Sequence, residues 1–240
     1  MLKTLAKLCL LGAIPCLLGF PLAVIAYRLH WWPMGQSFDL IKITFFTGLL
    51  LVVLSMLIAL IAMFKKDLEA LKAAAVAFVL ISIPSIGLSL QAIKGKSLPR
   101  IHDITTDTVN PPQFRAVLNL RGTDSNSLDY QAEQLATQQQ AAYPYIQPIM
   151  TQMTPERALA RAAAAVAQLG WELIAKDQAT GTIEAVDTTL LWGFKDDIVI
   201  RVQATASGSR VDLRSVSRVG LSDLGANAAR IRKFIEAFHQ

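Results

Sequence analysis

The chain has 240 residues, of which 53% are hydrophobic, and its mean hydropathy is +0.41. This composition is too apolar for an ordinary soluble protein, so part of the chain must lie in lipid. The net charge of +5 divides unevenly: residues 1–100 hold 10 Lys and Arg against 3 Asp and Glu, whereas residues 101–240 hold 13 against 15. Because the positive charge flanks apolar segments, we expect no nucleic-acid partner.

The first hundred residues contain three apolar runs, at 8–27, 43–64 and 71–93. Each is about 20 residues long, the length that crosses roughly 30 Å of hydrocarbon, so we predict three transmembrane helices. A cleaved signal peptide is an alternative for the first run, since two lysines precede it and Val24-Ile25-Ala26 is a candidate cleavage site.

The charges of the connecting loops do not decide the orientation of these spans, since five Lys and Arg residues fall on each side. The basic N-terminus and the loop KKDLEALK at 65–72 are typical of cytoplasmic segments. Long domains are translocated largely regardless of their charge. We therefore predict that the C-terminal domain lies outside the cytoplasm.

Residues 94–145 lose all periodicity. They contain Pro99, the run Asn110-Pro111-Pro112 and a glutamine-rich stretch. Prolines and polar, glutamine-rich residues of this kind predict an extended tether, with one short helix near 129–142.

Residues 146–240 have the pattern of a folded domain. A strand is predicted at 146–153, and a helix follows from Pro155 to Leu169 with Thr154 as its cap. Runs at 171–176 and 182–189 predict a hairpin around the Gly181 turn.

The last part of the chain predicts a second hairpin and a helix. Apolar and polar residues alternate at 195–204 and 210–219, which indicates two half-buried strands joined at Ser207-Gly208-Ser209. Ser222 is the expected N-cap of a helix that lays an apolar face on the sheet. The order β-α-β-β-β-β-α predicts an α+β fold, with helices packed on one face of an antiparallel sheet.

Three arginines are the candidate contact residues: Arg201, Arg214 and Arg218. Strand alternation places them on the face opposite the apolar residues, where guanidinium groups suit a phosphate, a carboxylate or a lipid headgroup. The alternative is intramolecular, because Asp196, Asp197, Asp212 or the acidic tether are candidate ion-pair partners for the same arginines.

The chain also has one cluster of metal-ligand types: His102, Asp103 and Asp107. A metal-dependent hydrolase built on them is the alternative to a non-enzymatic module. The competing interpretation is local turns in the tether, made with Thr105 and Thr106. No second histidine or cysteine follows at ligand spacing, so we predict no metal site and no cofactor.

Several motifs resemble a bacterial family catalogued only as a domain of unknown function, number fourteen ninety-nine. They are IHDITTD at 101–107, NPPQF at 110–114, GFKDD at 193–197 and RSVSRVGLSDLGANAARIRKF at 214–234. The resemblance covers roughly 101–238 and implies a membrane-tethered envelope protein without an established reaction. We expect a binding or assembly module at the bacterial inner membrane. Its expected partners are the lipid bilayer and an envelope protein or anionic lipid.

Overall fold

The first part of the chain forms three long helices. The computed structural model describes residues 1–240 and divides into two compact units, Met1–Gly95 and Lys96–Gln240. The helices are α1 (Leu2–Arg28), α2 (Met34–Phe64) and α3 (Leu68–Lys96). All three are long and apolar enough to cross a membrane, so the predicted apolar helices are confirmed, each extending beyond the run that identified it.

Small side chains let these helices approach closely. Most of the residues buried between them are alanines, as in Ala6, Ala13, Ala62, Ala70, Ala74 and Ala77. A methyl group added at Gly48 would come within 3.1 Å of Ser85 Oγ. Close packing through small residues is a usual way for apolar helices to associate.

The second unit is built on one antiparallel sheet. Its strands are β1 (Asp103–Thr105), β2 (Ile149–Thr151), β3 (Glu172–Asp177), β4 (Thr182–Thr188), β5 (Lys195–Thr205) and β6 (Gly208–Ser217). They run in the order β1-β6-β5-β4-β3, and β2 pairs with β6 beside β1. The predicted α+β fold is confirmed, with β1 as a strand that the sequence did not reveal because three residues are too few to show alternation.

Both predicted hairpins form. Thr205 pairs with Gly208, so Ala206 and Ser207 alone make the turn between β5 and β6. At the other hairpin, Gly181 has a φ of +65°, a conformation that favours glycine.

One face of the sheet is covered by two helices, α5 (Pro155–Gln168) and α6 (Ala226–His239). Thr154 caps α5 as predicted, its hydroxyl accepting a hydrogen bond from the Arg157 amide at 3.5 Å. The main core lies under these helices, where the rings of Trp171 and Phe234 stack 5.9 Å apart.

The start of α6 differs from the prediction that Ser222 caps it. The helix begins at Ala226, and Gly225 precedes it in the left-handed region. The Asp223 carboxylate, not the Ser222 hydroxyl, accepts hydrogen bonds from the amides of Gly225 and Asn227. A carboxylate satisfies these amides better than a hydroxyl because it also carries negative charge to the positive end of the helix.

The segment predicted to be an extended tether is largely part of the folded unit. It supplies β1, a 3-10 helix (Ala116–Leu120) and α4 (Ala132–Ala142), the last close to the predicted short helix. Its residues cover the second face of the sheet, where Phe114 and Val117 pack on apolar side chains of β4, β5 and β6. The compact unit therefore begins at Lys96 rather than at 146. An irregular backbone can bury side chains without any periodicity in its sequence. The lack of periodicity at 94–145 therefore did not indicate an extended tether.

Candidate functional site

The arginines predicted as contact residues lie on the sheet face opposite α5 and α6. Strand alternation puts Arg210, Arg214 and Arg218 on this face of β6 or just beyond it, and Arg201 on the same face of β5. The irregular segment that follows β1 covers this face. Three clusters of arginine and aspartate therefore form between the sheet and that segment.

The central cluster pairs Arg214 with Asp103 of β1. The guanidinium donates through Nε to Oδ1 at 3.0 Å and through Nη2 to Oδ2 at 2.7 Å. It also donates to the carbonyl oxygens of Pro112 and Leu128, at 3.3 Å and 2.7 Å. The ring of Phe114 lies 5.3 Å from its central carbon. Arg214 has no exposed surface, so it cannot touch a partner in this fold.

The second cluster surrounds Asp197, whose side chain is fully buried. Arg218 donates to both of its carboxylate oxygens, at 2.7 Å to 3.1 Å. Arg121, from the segment after the 3-10 helix, donates to the same carboxylate. Asp197 thus ties the irregular segment to the sheet.

The third cluster contains two arginines and two aspartates. Arg201 donates to Asp212 at 3.0 Å and to Asp107 at 3.3 Å. Arg210 donates to the same two carboxylates, at 3.0 Å and 2.8 Å. The side chain of Arg210 is 34% exposed, whereas that of Arg201 is 14% exposed. Arg210, which sequence reasoning did not single out, is the arginine of this face that solvent reaches most.

These contacts correct the prediction for Arg201, Arg214 and Arg218. Strand alternation places all three on one face, as predicted. Their partners, however, are aspartates of the same chain, as the intramolecular alternative states. The physical reason is that this face is buried beneath the irregular segment, so desolvated guanidinium groups need carboxylates of their own.

The same contacts separate the three residues considered as metal ligands, His102, Asp103 and Asp107. Asp103 faces Arg214, and Asp107 faces Arg201 and Arg210. His102 contributes its backbone carbonyl, which accepts from the Ser217 amide. No group of three or more His, Cys, Asp and Glu side chains in the structure is placed to hold a metal ion.

A second polar network lies at the end of the sheet under α6. Arg230 donates to Asp196 at 2.6 Å and to Asp187 at 2.8 Å. It also donates to Oδ1 of Asn227. The same oxygen accepts a second hydrogen bond from the Ser215 hydroxyl at 2.6 Å. Arg230 is itself buried.

Glu184 of β4 is another buried charge that sequence reasoning missed. Its carboxylate accepts hydrogen bonds from three successive amides, those of Arg115, Ala116 and Val117, at 2.8 Å to 2.9 Å. These amides form the positive N-terminal end of the 3-10 helix, and without Glu184 they would be left without acceptors. The one available signal was a carboxylate placed between the apolar residues Ile183 and Ala185.

The exposed end of the third cluster opens into a groove. Its volume is about 490 Å³, and it is lined by Thr106, Asp107, Thr108, Val109, Asn110, Gln147, Pro148, Gln203 and Arg210. Arg210 Nε and Nη2 are held by Asp212 and Asp107, which fixes the guanidinium in place. The groove therefore offers a positioned guanidinium group beside the Asp107 carboxylate, with mostly uncharged side chains along the rest of its walls.

Burial and neighbouring charges shift several acidic groups. Partial burial acts to raise the pKa of Asp107, but amide hydrogen bonds from Asn110 and Val109 and the charges of two arginines outweigh it, so this pKa is lowered. Burial raises the pKa of Asp223 above its ordinary value. Burial, with the charge of Asp103, raises the pKa of the Tyr130 hydroxyl to about 12.

A family model described as "Protein of unknown function (DUF1499)" matches residues 103–238. The chain belongs to this family. The match begins at Asp103, the partner of Arg214, and ends at Phe238 of α6, so the DUF1499 segment includes the sheet and its three arginine clusters. The three apolar helices lie outside it. No curated protein matches the sequence.

Proposed function

We propose that this DUF1499 protein is a membrane-anchored protein of the bacterial inner membrane whose second unit is a non-enzymatic binding or assembly module. The observation that supports it best is the groove beside Arg210. There a guanidinium group is one-third exposed and held by two carboxylates, so it loses little freedom when a partner binds.

The chemistry of the groove favours a polar partner. An arginine whose Nε and Nη2 are already engaged presents its remaining donors to a carboxylate or phosphate oxygen. The amides of Gln147 and Gln203 add neutral donors and acceptors along the walls. We propose a protein of the cell envelope as the partner, bound through an acidic side chain or its C-terminal carboxylate.

Photo-crosslinking tests this surface. A photoreactive residue at Gln203, in the full chain within native membranes, should capture a discrete protein, and Arg210→Gln should reduce that capture at least several-fold. Arg232→Gln is the matched control, since Arg232 is an exposed arginine of α6 with a single 3.7 Å contact to Glu236. Equal capture by both variants would contradict the proposal, and capture of anionic lipid alone would replace the protein partner with a headgroup.

Placement of the second unit outside the cytoplasm is part of the proposal. It is supported by the basic N-terminus and by the loop at 65–72. A reporter fused after Gln240 that is active only in an oxidising compartment should be active. An inactive reporter, beside an active cytoplasmic one at the same position, would contradict this placement.

A metal-dependent hydrolase built on His102, Asp103 and Asp107 is not favoured by any observation. Both carboxylates are engaged by arginines, and Asp103 is almost completely buried.

A further inference from the structure

Two loops at one end of the sheet expose large apolar side chains. Leu190, at the tip of the β4–β5 hairpin, is 94% exposed, and Leu191 beside it is 52% exposed. In the loop between β6 and α6, Leu221 is 70% exposed and Leu224 is 48% exposed. Exposed leucines are ordinary when they are single, but two adjacent loops with leucine pairs need an explanation.

Strand register shows that both loops lie at the end where the chain enters the second unit. Asp103 pairs with Val216, and the Ser217 amide donates to the His102 carbonyl at 3.0 Å. Ser217 also pairs with Asp196, beside the first residue of β5. The β4–β5 tip precedes β5 and the α6 loop follows β6. The entry point and both loops therefore share one end of the sheet.

A short connection joins this end of the sheet to α3. Only residues 97–102 separate the last residue of α3 from β1. From Lys96 to Asp103 the chain makes seven Cα–Cα steps, which span at most about 25 Å when fully extended. If α3 crosses a bilayer, the start of β1 cannot move further than this from the end of α3, and the sheet end that carries the apolar loops is the end tethered to it.

We propose that the β4–β5 tip and the α6 loop insert into the headgroup region of the bilayer in which the chain is anchored. Transfer of a leucine side chain from water to the acyl boundary of a bilayer is favourable. Aromatic residues are enriched at the interface between membrane and water. The rings of Trp192 and Phe194 stack 5.4 Å apart in the same hairpin. Lys195 at the base of the hairpin is exposed and places a cation at the level of lipid phosphates.

Insertion of these loops would place the groove away from the bilayer. The groove lies near Arg210, seven residues along β6 from Ser217, which corresponds to roughly 24 Å of strand. A protein partner would then meet Arg210 in the aqueous compartment, while lipid holds the opposite end.

Spin-label accessibility in the full chain tests the insertion. The two native cysteines are replaced by Cys9→Ala and Cys16→Ala, and the chain is reconstituted in phosphatidylcholine–phosphatidylglycerol vesicles. A nitroxide is attached at Leu190→Cys or Leu221→Cys. Val109→Cys is the matched control, since Val109 is a 92% exposed apolar residue at the groove end. All three sites are on the surface, so the labels leave both cores intact.

The labels at 190 and 221 should collide several-fold more with oxygen than with a water-soluble nickel chelate, and the label at 109 should show the reverse. A preference for the chelate at 190 and 221 would overturn the proposal. Protection of both sites from oxygen and chelate together would also overturn it, because that result indicates contact with protein. In a Trp31→Phe, Trp32→Phe background, quenching by lipids brominated near the headgroup should be reduced several-fold by Trp192→Phe, which is a second expected result.

Discussion

Replacing Arg214 with alanine should destabilise the second unit severely. The change removes one partner of a bidentate pair in which Asp103 is only 2% exposed, so a buried carboxylate is left without a cation. It also leaves the carbonyl oxygens of Pro112 and Leu128 without their donor. Breaking a buried pair from one side costs about 3–5 kcal/mol of unfolding free energy. For a unit of this size, that lowers Tm by roughly 10 °C or more.

The assay is urea unfolding of residues 96–240, which form a compact unit with their own core. Trp171 reports on that core in a Trp192→Phe background. Arg232→Ala is the control and should change the free energy of unfolding by no more than about 0.5 kcal/mol. A loss of about 1 kcal/mol or less for Arg214→Ala would refute the buried pair, since exposed ion pairs contribute only that much. Replacing both partners, Arg214→Met with Asp103→Leu, should recover much of the loss.

Three other predictions concern buried or strained positions. Glu184→Ala should lower the free energy of unfolding by about 3 kcal/mol, because three amides lose their acceptor, and hydrogen exchange of those amides should accelerate. Gly208→Ala should cost more than about 1 kcal/mol in urea unfolding, since its φ is +144° and a Cβ would overlap the Thr151 carbonyl, whereas Gly122→Ala meets open space and should be nearly neutral. The pKa of Asp107 is lowered from 3.8, so its contribution to stability is full above about pH 4 and is lost as pH falls below that value. The difference in stability between Asp107→Asn and the parent should therefore shrink in acid.

Regular elements could be predicted from the sequence because their patterns are local. Apolar length identified α1, α2 and α3, and alternation identified β5 and β6 and the face that carries their arginines. The start of α6 was less predictable, because Ser222 and Asp223 both suit a cap and only the folded geometry selects between them.

The partners of the arginines could not be predicted, since they depend on contacts distant in the chain. Arg214 meets Asp103 across 111 residues, and Arg218 meets the carbonyl of Leu120 across 98. Alternation with polar residues on one side usually indicates a solvent-facing strand surface. Here an irregular segment covers that surface, and nothing periodic in its sequence indicates burial.

The ion pairs explain how such a segment is fixed in one position. A strand is held in register by its ladder, but residues 106–130 form almost no ladder with the sheet. A shift of the segment would separate Arg121 from Asp197 and remove the Pro112 and Leu128 carbonyls from Arg214, leaving charged groups buried without partners. Apolar contacts alone tolerate such shifts, because they are not directional. We infer that the buried charges serve positional specificity more than net stability, which is also why replacing both members of one pair should be tolerated while removing a single member should not.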